Sequence, residues 1–355
     1  MTVTNSSDDY RAVRYEGAGL IDLSARRGRI LVSGRDAAMF LNGLVTNDVK
    51  NLAHGSWVPA AFANVQGRLI AAVRIIHRDD GFLIDTETVT RDKVVDLLSR
   101  FTLAGDFRVT DLTDELGTIS LQGRKAAEIL GSVLGAEATT WERGCVIQSS
   151  FNEKDLTIIR ATHTAEEGFD LFIESSEREQ LHDALWHAGA EIVGDETFEV
   201  LRIEAGIPRF GIDMNEKTVI SETCLDDAIS DTKGCYVGQE IIIRIKHRGH
   251  VAKKLTGVLL ELPWPLEEHA DIISDDHEEI GRTTSLTFSP RLDRQIALAY
   301  LKYDHLEEGT RIWIDHGEKQ VVAEVASLPM VRGSWFTADG VIEPESEISE
   351  EHEPA

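Results

Sequence analysis

The chain has 355 residues, 42% hydrophobic and 28% charged, the balance of a soluble globular protein with room for two or three domains. No run reaches the roughly 18 to 20 apolar residues that span a bilayer, and the N-terminus lacks the basic region and apolar core of a secretory signal. A net charge of -26 repels phosphates at long range, so neither membrane nor direct nucleic-acid binding is expected; three cysteines without a CxxC pair argue against a disulfide framework and fit a reducing cytoplasm.

Taken along the chain, residues 1–10 are polar and read as a disordered N-terminus. A strand is predicted over 29–33, with Asp36 as N-cap of a helix over 37–44. Residues 69–77 and 81–86 pattern as a hairpin, followed by a helix over 91–101. A similar order recurs, with strands at 117–122, 156–161 and 168–173 and helices at 124–134 and 176–188. Two successive sheet-and-helix units of this kind predict an α+β fold, each helix set covering one sheet face. Past residue 250 the pattern turns to strands at 255–261, 279–286, 295–301, 311–314 and 320–327, separated by Gly, Pro, Asp and His turns. This suits a small antiparallel β-barrel, with a bend at Pro263-Trp264-Pro265. The residues from 334 to the end are acidic and proline-bearing, and read as a disordered tail.

The densest chemistry lies in Lys233-Gly234-Cys235-Tyr236-Val237-Gly238-Gln239-Glu240. Gly234 and Gly238 permit a tight loop around a ligand. Lys233 is expected to favour the Cys235 thiolate, as would the first turn of a helix opening at Gly238. Cys235 with Lys233 therefore forms the candidate reactive pair, against the alternative of a structural turn with an incidental cysteine. Tyr236 has two readings, stacking on a flat ligand or filling a core, and the core is favoured. Gln239 and Glu240 are candidates for fixing the loop or touching the ligand. Cys145 and Cys224 read as small buried hydrophobes, Cys224 being the better second thiol. His247 and His250 supply only two ligands at i, i+3, so no metal site is expected. The basic run 244–254 reads as a solvated face or a wall for an anion.

Three blocks together resemble the folate-binding T-protein (aminomethyltransferase) superfamily: Leu201-Arg-Ile-Glu-Ala-Gly-Ile-Pro208, the 281–299 region and KGCYVGQE, the last similar to the hallmark of its YgfZ-like branch. The resemblance covers roughly residues 15–331. It implies an α+β module of two subdomains over 11–248 and a β-barrel over 249–333, around a central channel for tetrahydrofolate or a derivative. It implies Glu204 as the carboxylate that pairs with the pterin, with the 233–240 loop beside the ligand. Aminomethyltransferases of the superfamily carry an aspartate after an Asn-x-x-Gly turn. Here that turn is Asn64-Val-Gln-Gly67, and Ala71 and Ala72 follow, residues that can neither move a proton nor stabilise a cation. The resemblance thus implies an accessory protein for assembly or repair of iron-sulfur clusters, partnered by iron-sulfur enzymes or cluster-assembly proteins, with tRNA modification downstream. The alternative is a folate-dependent aminomethyltransferase or demethylase using another acid, such as Asp85. Arg202 is expected to serve as scaffold or ion pair.

Overall fold

The computed structural model describes residues 7–100, 102, 105–261, 269–315 and 320–337. The proline-flanked bend at 263–265 and most of both tails lie outside the described residues.

The first sheet runs in the order Trp57–Ala63, Leu69–Arg78, Gly81–Glu87, Arg27–Ser33, Arg108–Asp111, all antiparallel. Strand Leu69–Arg78 alternates buried and half-buried residues over its first seven positions, the period-two signature of a sheet with distinct faces. Helices Ala37–Leu44 and Thr88–Ser99 cover one face, packing Leu41, Val94 and Leu98 on Ile30, Val73 and Ile84. Asp36 precedes the first helix but caps no N–H of it; its carboxylate instead accepts the Asp106 backbone N–H at 2.8 Å and ties two loops together. The second helix starts a turn earlier than its apolar spacing suggests, at Thr88, whose hydroxyl donates to the Ala25 carbonyl at 2.9 Å.

The second sheet is ordered Glu191–Ile192, Gly19–Asp22, Leu116–Gln122, Gly168–Glu174, Lys154–Arg160, Val146–Phe151. It is not simply a later copy of the first. Its second strand comes from the start of the chain, so the two units interleave rather than follow one another. Helices Ala126–Leu134 and Arg178–His187 cover its outer face. Inner faces of the two sheets meet, with Ile76 and Leu83 packed against Ile159 and Phe172.

Helix Asp195–Glu204 carries the chain toward the closed six-strand barrel Lys253–Leu260, Arg294–Lys302, Glu279–Ser289, Asp271–Ile273, Arg311–Asp315, Gln320–Ala326. Ile203 of that helix packs with Leu255, Ile296 and Leu298 of the barrel. Parts of both stretches read as disordered are helical. Residues Asp8–Arg11 form a helical turn that buries Tyr10, and Ser334–Thr337 form another at the far end. Burial of Tyr10 and the hydrogen bonds of Ser334 and Trp335 to residues 165–167 override the polar local composition.

Candidate functional site

Two cavities open where the sheets, the segment after helix Asp195–Glu204 and the barrel converge. The larger, about 560 Å³, is lined by Trp57, Pro59, Ala72, Arg74, Met214, Cys224, Leu225 and Leu328, among others. The smaller, about 310 Å³, lies among Leu23, Arg26, Thr88, Phe198, Arg202, Arg209 and Phe210. Arg27, Glu87, His163, Ile207 and Pro208 line both, so the two hollows form one channel with those five residues at its waist. Its size is that of a small-molecule site, mostly apolar with a few convergent polar groups.

The waist is held by a chain of buried charges between the two sheets. Arg27 makes a two-pronged contact with Asp85, Nε to Oδ1 at 3.0 Å and Nη2 to Oδ2 at 2.6 Å. Arg74 donates through Nε to the same Asp85 at 2.7 Å and through Nη1 to Asp170 across the sheet interface. His163 Nε2 stands 2.8 Å from Asp170 Oδ2. Burial alone would push Asp85 up, but Arg27 and Arg74 outweigh it and hold its carboxyl below the usual carboxylate range. Asp170 goes the same way, with His163 and Arg74 outweighing burial. Asp85 is thus fully buried and committed to two guanidiniums, which removes it as the alternative acid for transfer chemistry.

Glu87, two residues along the same strand, differs. Its carboxylate accepts the Phe210 backbone N–H, at 2.9 Å to Oε1. Burial raises its pKa, opposed by Arg27 and that N–H. A carboxyl that faces both halves of a channel and is pushed toward protonation is suited to general acid–base work. Residue order gave one usable clue: Asp85 and Glu87 alternate along one strand and share a face, a relation visible once 81–87 is recognised as a strand. Which of the two lacks guanidinium partners depends on strands distant in sequence.

The residues singled out in the sequence are placed in two separate regions. Cys235 is exposed and lines neither cavity. Lys233 turns inward, away from it: its Nζ donates to the carbonyls of Asn42, Val45 and Asn47, each at 2.7 Å. Burial lowers the Lys233 pKa to about 8, so the ammonium still dominates at neutral pH. It acts as a clamp between the loop and the end of helix Ala37–Leu44, not as an activator of the thiol. Gly234 faces open space, whereas Gly238 has φ +85° and a Cβ there would lie 2.5 Å from the Asn64 carbonyl oxygen. Tyr236 is in the core with Phe210, Met214 and Ile242. Gln239 and Glu240 open helix Gln239–Arg248, the Gln239 N–H donating to the Tyr236 carbonyl at 3.2 Å and Glu240 pointing to solvent. The loop therefore packs on the turn at 64–67 and forms no part of the channel lining.

Glu204 is also redirected. It is fully buried and accepts from Tyr10 Oη at 2.8 Å, Ser289 Oγ at 2.5 Å, and Arg14 Nε and Nη2 at 3.0 and 2.6 Å. Both oxygens are engaged, joining the N-terminal turn, helix Asp195–Glu204 and the barrel, which leaves none for a pterin. Arg202 is an ion-pair residue, bonded to Glu199, Asp213 and Ser285. Cys224 is half-buried in the channel wall, its thiol pushed up to about 11 by burial, so the sulfur that meets the channel is not the one in the distinctive motif. Ala72 lines the channel and Ala71 is buried behind it. No group of three or more metal-ligating side chains occurs among the described residues.

Residues 3–233 match the GCVT N-terminal domain, and residues 253–332 match the glycine cleavage T-protein C-terminal barrel domain. An aminomethyltransferase of Rubrobacter xylanophilus is 31% identical over 325 residues, covering 91% of this chain and 86% of its own. One from Alcanivorax borkumensis is 27% identical over 327 residues, with 92% and 88% covered. The fold is similar to that of the glycine cleavage system aminomethyltransferase T from Bartonella henselae, with a TM-score of 0.83 at 22% identity over 92% of this chain and 89% of that one. With two stacked sheet units leading into a closed barrel and both family domains matched in order, the chain belongs to the glycine cleavage T-protein family.

Proposed function

We propose that this chain binds a reduced folate in the channel and handles the one-carbon unit the folate carries, with Glu87 as the proton-handling group. The observation that carries this reading is the placement of Glu87, raised in pKa by burial, at the waist shared by both cavities. The residues present fit such a ligand: Trp57, Leu225 and Leu328 offer apolar walls for a flat heteroaromatic ring, and Glu87 offers a carboxyl to its amine hydrogens. A reduced folate would supply the ring amines to which a one-carbon unit is attached. Arg27 and Arg74 fix the floor of the waist through Asp85, and Glu87 in its raised-pKa state can give a proton to, or take one from, a donor amine. The match to relatives named aminomethyltransferase supports the transfer reading, and Ala72 in the wall means that it runs without an acid at that position.

The test has two steps. Calorimetry with tetrahydrofolate should give a binding isotherm, and production of methylene-tetrahydrofolate from an aminomethyl donor, with release of ammonia, should fall in Glu87→Gln while binding persists. Absence of any folate binding would end the proposal.

A second reading is favoured by Cys235, whose exposure on a loop outside the channel suits contact with another macromolecule. We infer that, in this case, the chain is a folate-binding accessory to iron-sulfur enzymes in the cytoplasm, with the thiol meeting a partner and not the folate. One thiolate cannot hold a cluster by itself, since such clusters usually take four. Comparing several cluster-containing enzymes in cells with wild-type or Cys235→Ser protein tests it, and full complementation by the serine variant would remove the thiol from the mechanism. Among the described residues no helix is long and apolar enough to cross a membrane.

A further inference from the structure

His163 lies in the hairpin connection between strands Lys154–Arg160 and Gly168–Glu174, and it is one of the five residues that line both cavities. Of those five, Ile207 and Pro208 are apolar, and Arg27, engaged with Asp85, stays protonated. Glu87 and His163 are therefore the two side chains at the waist that can give and take a proton. The returning strand of the hairpin carries Asp170, which is fully buried. Its Oδ2 meets His163 Nε2 at 2.8 Å, and Arg74 Nη1 reaches the same oxygen from the first sheet. The His163 backbone N–H donates to Gln122 Oε1 at 2.9 Å, and the ring sits edge-on to Phe198, with centroids 6.3 Å apart. Backbone and ring are both held in place.

An ionised carboxylate can only accept a hydrogen bond, so Asp170 fixes the hydrogen on Nε2 and makes Nδ1 the basic nitrogen of the neutral ring. Among the described residues nothing hydrogen-bonds Nδ1. A buried carboxylate that orients an imidazole whose other nitrogen is unengaged is the arrangement of a base with its positioning partner. The transfer chemistry has work for a second such group beside Glu87. The carbon of an aminomethyl donor ends bonded to two folate amine nitrogens, and its bonds to the carrier atom and to the amino group both break. Two amine protons move, one to the carrier and one to the nitrogen that leaves as ammonia. We propose, on the reading of the channel as a folate site, that His163, positioned by Asp170, is the second proton-handling residue of the channel and works with Glu87. Nδ1 takes one amine proton and gives it to the carrier. Glu87 gives a proton to the departing nitrogen and takes up the other amine proton, so both side chains end as they began.

The test joins labelling of the wild-type chain to turnover in variants. Full-length protein is treated with diethyl pyrocarbonate, which acylates imidazole nitrogens, and modification of His163 is followed by mass spectrometry. His163 should be modified in the free protein. With 5-formyltetrahydrofolate, a reduced folate whose N5 is blocked, at about ten times its calorimetric dissociation constant, modification should slow about tenfold, as occupancy dictates. His163→Gln should lower methylene-tetrahydrofolate production about 100-fold while calorimetry shows folate still bound. In the Glu87→Gln, His163→Gln double variant the loss should fall short of the product of the two single losses, because groups acting as a unit are not additive. Full turnover in His163→Gln, a His163 that is never modified, or modification that bound folate does not slow would overturn the role of His163 and leave the folate reading standing. Losses that multiply would overturn its pairing with Glu87. Calorimetry without folate binding would overturn both readings, and the labelling of wild-type protein decides the matter if His163→Gln fails to fold.

Discussion

The 233–240 loop and the channel waist at Glu87 present opposite relations between sequence distinctiveness and position. The loop is the most chemically conspicuous stretch of the chain, yet its lysine is spent on three backbone carbonyls, its tyrosine on a core, and its cysteine faces solvent outside the channel. Glu87 sits at the end of an ordinary hydrophobic strand and is one of 62 acidic residues, yet it faces both cavities with its pKa raised. A side chain's chemistry is set by what surrounds it, and in this molecule the surroundings of both regions come from segments far away in sequence.

The largest expected effect probes the redirected glutamate. Glu204→Ala should cost about 3 to 5 kcal/mol in denaturant unfolding, because it leaves Arg14 buried without its main counter-charge. Unchanged stability with weakened folate binding would return Glu204 to the ligand and undo the separation drawn above. Next, Glu87→Gln should lower one-carbon transfer about 100-fold, at the low end for loss of a general acid–base. The same residue has a pH signature. Its folded pKa lies above the unfolded one, so it costs no stability below the unfolded pKa and becomes destabilising as pH rises through the folded pKa. The stability gap between Glu87→Gln and wild type, measured by urea unfolding, should therefore move in favour of the variant between acidic and neutral pH. A gap independent of pH would show that Glu87 has no raised pKa.

Lys233→Met should cost about 2 kcal/mol of stability by stripping three carbonyls of their donor, with folate affinity retained. A large change in folate affinity without a change in stability would place the clamp at the ligand after all. The smallest effect is expected from Cys235→Ser, which should leave the melting temperature and folate dissociation constant within error of wild type, because the sulfur is exposed and lines neither cavity. Altered folate affinity in that variant would join the two regions that the structure keeps apart.

Much of the fold was legible because it is written in local pattern. Alternation over Leu69–Arg78, the turn after it at Arg78 to Gly81, the helices around residues 37–44 and 126–134, and the succession of short strands beyond 250 all carry their own periodicity. Strands Trp57–Ala63 and Val146–Phe151 went unrecognised, the first holding Pro59 and the second carrying the polar run Gln148-Ser149-Ser150 at a sheet edge, where local signals are weak. The motif's glycine at 238 has a left-handed backbone and a contact with the Asn64 carbonyl that demand glycine. Its purpose was not readable, because the partner turn is more than 170 residues upstream.

The sequence by itself determined the two-sheet and barrel architecture and the long-range negative charge, because each follows from residue type and short-range spacing, whereas Ala71 and Ala72 read as standing in place of a transfer acid only through the family resemblance. Only the tertiary structure decided which carboxyl meets the channel, which thiol lines it, and that Trp335 and Phe336 join its wall. Those outcomes depend on pairings such as Arg27 with Asp85, Arg14 with Glu204 and Ser334 with Glu166, which neutralise some groups and leave others available. Coulomb attraction and hydrogen bonding act over a few ångströms in space, and the fold alone brings these residues that close.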